Sequence, residues 1–275
     1  MQIEILETSY HIEVMNEEKE DIVVFLHGFT GSTKSWNETA FHFSDYRILL
    51  IDLLGHGKTR SSATSGPFSM ERQIRELDQL FDKLELNNFV LTGYSMGGRI
   101  ALAYACTYPS KVRALVLESA SPGLKDEDER TVRQKNDSQL AEKILENGMT
   151  SFVDHWENIP LFLSQKTLAA DVQRAVRQER LQQDPAGLAE SLIGMGSGSQ
   201  HSYWGSLGGL EMPVLLVTGK LDVKFEGIAE EMKAVLKNAK HKSVMAGHAI
   251  HVEKPAEFAT IVGEYLKLNS LGGKS

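Results

Sequence analysis

Cysteine is nearly absent from this chain. Cys106 is the only one in 275 residues, so no internal disulfide can form and a disulfide-stapled scaffold is excluded. No apolar run approaches the roughly 18–20 residues that span a bilayer, which excludes a transmembrane helix. Met1–Phe25 has no basic segment followed by a long apolar one, so no secretory signal is expected. Positive charge is also in short supply: Lys+Arg 29 against Asp+Glu 37 leaves −8, which argues against non-specific nucleic-acid binding. Internal repeats, low-complexity tracts and flexible interdomain linkers are missing as well. These absences predict a soluble, cytoplasmic protein, with no nucleic acid, membrane insertion or obligate protein partner implied. What is present is an ordinary globular composition, hydrophobic 41%, enough for a sizeable core.

Gln2–Glu7 and His11–Met15 alternate and read as a hairpin joined around Thr8–Tyr10. Apolar runs of strand length follow at Ile22–Leu26, Arg47–Ile51, Phe89–Thr92, Val112–Leu117 and Val214–Val217, with a weaker candidate at Val244–Met245. Continuous runs of this kind suit parallel strands covered on both faces. Helix-period segments lie between them, at Met70–Leu86, Gly97–Tyr108, Phe225–Lys237 and Pro255–Leu266. The alternation predicts an α/β fold with a mostly parallel central sheet flanked by helices. It breaks between Gly123 and Gly209, a charged stretch without a convincing strand that reads as several helices, including Glu129–Asn147 and Thr167–Gln182. That stretch is too long for a structureless loop. We read 1–122 and 210–275 as the core and 123–209 as an inserted helical cap.

Gly93-Tyr94-Ser95-Met96-Gly97 matches G-x-S-x-G, with a strand before it and a helix after it, as a nucleophile elbow requires. The helix start behind Ser95 supplies free N–H groups and a positive dipole. Leu26-His27-Gly28-Phe29-Thr30-Gly31 follows an early strand and can aim the Phe29 N–H, with that of Met96, at a developing oxyanion. His27, Asp52 and His56 read as turn-shaping residues. His248, directly after Gly247, is the best base, and His251 is its competitor. Asp222 follows the strand Val214–Val217, in a loop at the carboxyl end of the sheet where catalytic groups collect. It is the favoured acid, the alternative reading being a helix N-cap, and Glu118 is its rival. Arg99 lies about one helical turn past Ser95. It would need either an internal carboxylate partner or a substrate carboxylate to grip. Arg130, Arg133, Arg174, Arg177 and Arg180 read from pattern alone as solvated helix faces, and Trp156 as either cap core or site wall.

The segments HGFTGS, IDLLGHGKT, GYSMGG, GKLD and AGHAIHVEKP together resemble the α/β-hydrolase superfamily. A finer resemblance rests on Gly93–Arg99, Ser119–Leu124, Asp154–Gln165, Gly187–Ala189, Gly194–Trp204 and Gly219–Phe225. These are similar to the 2-succinyl-6-hydroxy-2,4-cyclohexadiene-1-carboxylate synthases of menaquinone biosynthesis. The resemblance implies a lyase that eliminates pyruvate from 2-succinyl-5-enolpyruvyl-6-hydroxy-3-cyclohexene-1-carboxylate, an anionic small molecule, without metal or organic cofactor. It implies a catalytic triad of Ser95, Asp222 and His248. It also implies substrate contacts from Tyr94, Arg99, Arg133, Trp156 and Arg180, with Arg130 three residues from Arg133. A serine hydrolase using the same triad, and a non-catalytic receptor on the same fold, are the alternatives.

Overall fold

The computed structural model describes residues 1–62 and 66–270. Its strands are β1 (Gln2–Ile5), β2 (Thr8–Met15), β3 (Ile22–Leu26), β4 (Arg47–Ile51), β5 (Arg60–Ser61), β6 (Phe89–Tyr94), β7 (Val112–Glu118), β8 (Val214–Gly219) and β9 (Ala239–Val244). Its helices are α1 (Asn37–Ala40), α2 (Met70–Lys83), α3 (Met96–Thr107), α4 (Glu127–Trp156), α5 (Ala170–Leu181), α6 (Pro185–Met195), α7 (Val223–Val235), α8 (Ile250–Glu253) and α9 (Pro255–Ser270). The strands form one sheet in the order β1-β2-β4-β3-β6-β7-β8-β9, with β5 beside β2. Pairing is parallel from β4 through β9 and antiparallel at β1, β2 and β5.

Burial explains the strand order. The fully buried runs of β6 and β8 and the nearly buried β3 and β7 occupy the middle, where helices cover both faces. One face packs Ile74, Leu77 and Phe81 of α2, Ile100–Ala105 of α3 and Met232 of α7. The other packs Trp36, Ala40 of α1, Ile250 of α8 and Phe258 and Val262 of α9. At α2 the chain starts cleanly because the Ser69 hydroxyl accepts the Arg72 N–H.

Two expectations need correction at the ends of the sheet. The hairpin turns at Leu6-Glu7, with Leu6 at φ 52°, and Thr8 already pairs with Ile5, so Thr8–Tyr10 belongs to β2. The weak signal at Val244–Met245 is the tail of a full strand: Lys240, Lys242 and Ser243 of β9 are exposed. Edge strands carry such charges because they discourage pairing with a second sheet, and the charges hide the strand from a hydrophobicity reading.

Between β7 and β8 the chain is helical, as expected. α4 starts at the Asp126 N-cap and breaks at Gly148, whose φ of 73° and ψ of 174° are non-helical. This is why the first helical stretch reads as ending at Asn147. Ala141, Ile144, Phe152, Val153, Leu188 and Leu192 of α4 and α6 form a small hydrophobic cluster separate from the two sheet faces. Among the described residues no helix is long and apolar enough to cross a membrane.

Candidate active site

The parallel register brings the site together. Tyr94 pairs with Glu118, Glu118 with Val217, and Gly219 with Val244, so the carboxyl ends of β6, β7, β8 and β9 lie side by side. Ser95, Glu118, Asp222 and His248 sit at or just beyond those ends.

Ser95 is at φ 50°, ψ −107°, between β6 and α3, and its N–H donates to the Glu118 carbonyl at 2.8 Å. A non-glycine residue in this region carries strain of about 1–3 kcal/mol, which its surroundings must offset. Two glycines show how tightly the turn is enclosed. A Cβ on Gly97 would lie 2.2 Å from the Leu26 carbonyl oxygen, and one on Gly28 would lie 2.5 Å from the Tyr94 ring and 3.6 Å from Ser95 Cβ. The loop carrying Phe29 is thereby pressed against the elbow. Among the described residues neither the Phe29 nor the Met96 N–H finds a protein acceptor.

His248 lies 2.9 Å from Ser95 Oγ through Nε2 and 2.6 Å from Asp222 Oδ2 through Nδ1. The chain is therefore serine hydroxyl to imidazole to carboxylate, with Nδ1–H donating to Asp222. His248 is 1% and Asp222 8% exposed, so water competes weakly for these bonds. The two readings of Asp222 turn out to be compatible, because its oxygens divide the work. Oδ1 caps α7 by accepting the Phe225 N–H at 3.4 Å, while Oδ2 holds His248. The rival acid serves the rival histidine: Glu118 Oε1 accepts the His251 N–H at 3.0 Å and pairs with His251 Nδ1 at 2.9 Å. His251 stacks on Trp36 at 4.2 Å, away from the serine hydroxyl.

The turn residues behave as their pattern suggests. His27 donates from Nδ1 to the Gly28 carbonyl at 2.8 Å and accepts the Leu53 N–H on Nε2 at 3.0 Å, and burial pushes its pKa down to about 4. His56, also buried and beside His27, falls to about 3. The Asp52 carboxylate accepts the Thr33 and Lys58 N–H groups, both at 2.6 Å.

Arg99 is partly buried and, among the described residues, has no carboxylate within ion-pair distance. Among the described residues only its Nη1 is engaged, donating to the Met195 carbonyl at 2.8 Å and to Gln200 Oε1. Burial, and after it the nearby Arg133 cation, bring its pKa down to about 10. Arg133 pairs with Asp137 at 2.7 Å, whereas Arg130 turns to the Gly198 carbonyl and Glu127. Arg133 rather than Arg130 therefore neighbours Arg99. Arg180 is buried, donates to Gln165 Oε1 at 3.0 Å and lies over the Phe162 ring at 4.8 Å, again without a carboxylate partner among the described residues. Phe162 in turn meets the His248 ring edge-on at 6.1 Å. Tyr94 packs between His248 and His251, and burial, followed by the Glu118 charge, holds its phenol well above its usual pKa. Trp156 packs on Phe29, Phe152 and Phe162, and its buried indole N–H has no partner among the described residues.

Sequence reasoning missed three contributors. Glu179, beside Arg180, accepts the Ser32 and Ser35 hydroxyls at 2.6 and 2.8 Å and so fastens α5 to the loop after Phe29. Glu253 accepts the Gly247 N–H at 2.8 Å and the Ser164 hydroxyl at 2.9 Å, holding the turn before His248. Gln200 shares Arg99. No local pattern marks these residues; each acts across a distance the periodicity does not encode. A cavity of about 440 Å³ lies between Pro160–Thr167 and α5, and a space of about 40 Å³ lies against Gly28, Phe29 and Tyr94. Phe162, Gln165, Val176 and Arg180 line both.

Residues 21–255 match the α/β hydrolase fold family. A Bacillus subtilis (strain 168) protein that carries the name 2-succinyl-6-hydroxy-2,4-cyclohexadiene-1-carboxylate synthase provisionally is 47% identical over 90% of both chains. The synthase of that name from Enterobacter sp. (strain 638) is 32% identical over 90% of this chain and 92% of its own. Among solved structures, MenH from S. aureus superposes with a TM-score of 0.90 at 36% identity, covering 95% of this chain and 98% of that one.

Proposed function

Because this chain belongs to the α/β-hydrolase fold family, and within it to the 2-succinyl-6-hydroxy-2,4-cyclohexadiene-1-carboxylate synthases, we propose that it is a pyruvate-eliminating lyase acting on 2-succinyl-5-enolpyruvyl-6-hydroxy-3-cyclohexene-1-carboxylate. The observation that carries this reading is Arg99. A partly buried guanidinium one helical turn from Ser95, with no carboxylate within ion-pair distance among the described residues, is costly unless a ligand supplies the negative charge. Arg133 and Arg180 add cationic charge from the cap, and the substrate brings three carboxylates. Nη1 of Arg99 is occupied by protein acceptors, which leaves Nε and Nη2 as a side-on fork for one of them.

In this reading His248, oriented by Asp222, draws the proton from Ser95 Oγ, and the oxygen removes the acidic ring proton beside the succinyl ketone. The ketone oxygen, becoming an enolate, sits on the Phe29 and Met96 N–H groups. As the carbonyl re-forms, the electron pair moves into the ring, the ring alkene shifts by one position, and the C–O bond to the enolpyruvyl group breaks. The departing enolate takes up a proton and becomes pyruvate. Positioned proton transfer contributes about 10²–10⁴-fold, and one oxyanion donor about 10²–10³-fold. Residues 1–122 and 210–275 act as the catalytic core, 123–209 as the substrate-binding cap, with the cytoplasm as the working compartment.

The same hydrogen-bonded serine would also suit acyl transfer, so the test must separate the two. Incubation with the enolpyruvyl substrate should yield diene absorbance and stoichiometric pyruvate. Turnover of p-nitrophenyl esters without pyruvate release would replace the lyase with a hydrolase.

A further inference from the structure

The two neighbouring cavities differ about tenfold in size, and the difference bears on how an anion reaches the serine. The space against Phe29 and Tyr94, about 40 Å³, holds a water or two, whereas the outer cavity, about 440 Å³, is of the size that binds small-molecule ligands. The wall they share includes Phe162, Gln165 and Arg180, held by the Arg180–Gln165 hydrogen bond and the stacking of the guanidinium on Phe162. Of the two, only the larger has the volume for a ring-sized substrate, and Arg180 stands in the wall between them.

The outer cavity has the charge for that task. Lys166, Arg174, Arg177 and Arg180 line it against a single carboxylate, Glu157. Arg177 is neutralised by Asp154 at 2.6 Å and Glu157 at 2.7 Å. Lys166 reaches only the Asn158 side-chain oxygen, and Arg174 has no ion-pair partner among the described residues. A concave lining of net positive charge in a chain of net charge −8 focuses potential on one spot of an otherwise repelling surface. We propose that this cavity, through Lys166 and Arg174, is an outer docking site for the polycarboxylate substrate, from which a carboxylate passes to Arg180 and draws it off Gln165. The substrate class rests on the lyase reading above, but the cationic cavity does not.

The test compares the wild type with Lys166→Gln/Arg174→Gln and with a charge-matched control, Lys242→Gln/Lys267→Gln. The control residues are exposed, on β9 and α9, away from both cavities. In the first arm, benzene-1,3,5-tricarboxylate is titrated by calorimetry at low ionic strength. The cavity variant should bind about five- to twentyfold more weakly and the control within about twofold of wild type. In the second, kcat/KM for the enolpyruvyl substrate is followed against KCl. The cavity variant should lose several-fold at low salt and converge on wild type at high salt, with kcat little changed. Equal binding in all three proteins, or equal losses in both double variants, would overturn the docking site. Absence of pyruvate release from the wild type would overturn the lyase reading and leave the tricarboxylate titration still able to decide the cavity.

Discussion

Replacing Arg99 separates substrate binding from a structural role with the greatest contrast. Among the described residues Arg99 donates only to a main-chain carbonyl and an amide, so Arg99→Ala orphans no carboxylate there. It leaves the Met195 carbonyl and Gln200 Oε1 short of a donor, a stability cost of about 1–3 kcal/mol at most, since the glutamine can turn and water can enter. It also removes both a repulsion with Arg133 and an attraction to Asp137, which keeps its ion pair with Arg133. The melting temperature should therefore fall by only a few degrees. The effect on catalysis should be larger. A charge-assisted hydrogen bond contributes roughly 1.5–3 kcal/mol, so kcat/KM for the tricarboxylate substrate should drop about 10- to 100-fold. Hydrolysis of a small neutral ester by the same protein, if measurable, should change far less. Arg99→Lys should recover part of the loss, because an ammonium keeps the charge without the planar fork. Steady-state kinetics on both substrates, with thermal melts of each variant, decide the matter. Equal losses on both substrates with marked destabilisation would remove Arg99 from the binding site.

Ser95→Ala should lower turnover by orders of magnitude with an unchanged melt, and near-wild-type pyruvate release would refute the assigned base. Asp222→Asn should cost far more activity than Glu118→Gln, because only Asp222 meets His248. Glu118→Gln should show mainly in the melting temperature, since it disturbs a fully buried pair with His251, and the reverse pattern in kinetics would reassign the acid. Acid should destabilise the fold through His27 and His56. Both are held neutral by burial, so the stability they contribute is complete above their unfolded pKa near 6.5. It is lost as pH falls from there toward about 4 for His27 and about 3 for His56, on the order of 3 kcal/mol at most for His27 and about 5 kcal/mol at most for His56. His27→Gln should therefore flatten melting temperature against pH in that window, and an unchanged slope would show that other groups dominate.

Much of this molecule could be read from local pattern. The elbow was legible because strand, G-x-S-x-G and helix are contiguous, and the steric demand on Gly97 is local to that turn. The fold class followed from buried runs alternating with helix periods. The order serine, acid, histidine is likewise a property of the chain. Local pattern failed where a strand's partners decide its character: β9 carries lysines because it is an edge, and the first turn moved because Thr8 pairs with Ile5. Which acid serves which histidine was decided only by the fold. Glu118 ends β7, Asp222 follows β8, and His248 and His251 are three residues apart, so local pattern ranks the candidates without showing which acid meets which histidine. The register of β7 and β8 and the packing of Trp36 on His251 send Glu118 to His251 and Asp222 to His248. The partners of Arg99, Arg180 and Glu179 are tertiary in the same sense. Each lies on a helix whose periodicity says which face it occupies, while the charge or hydroxyl it meets comes from a segment brought alongside by chain folding, over separations that no repeating pattern spans.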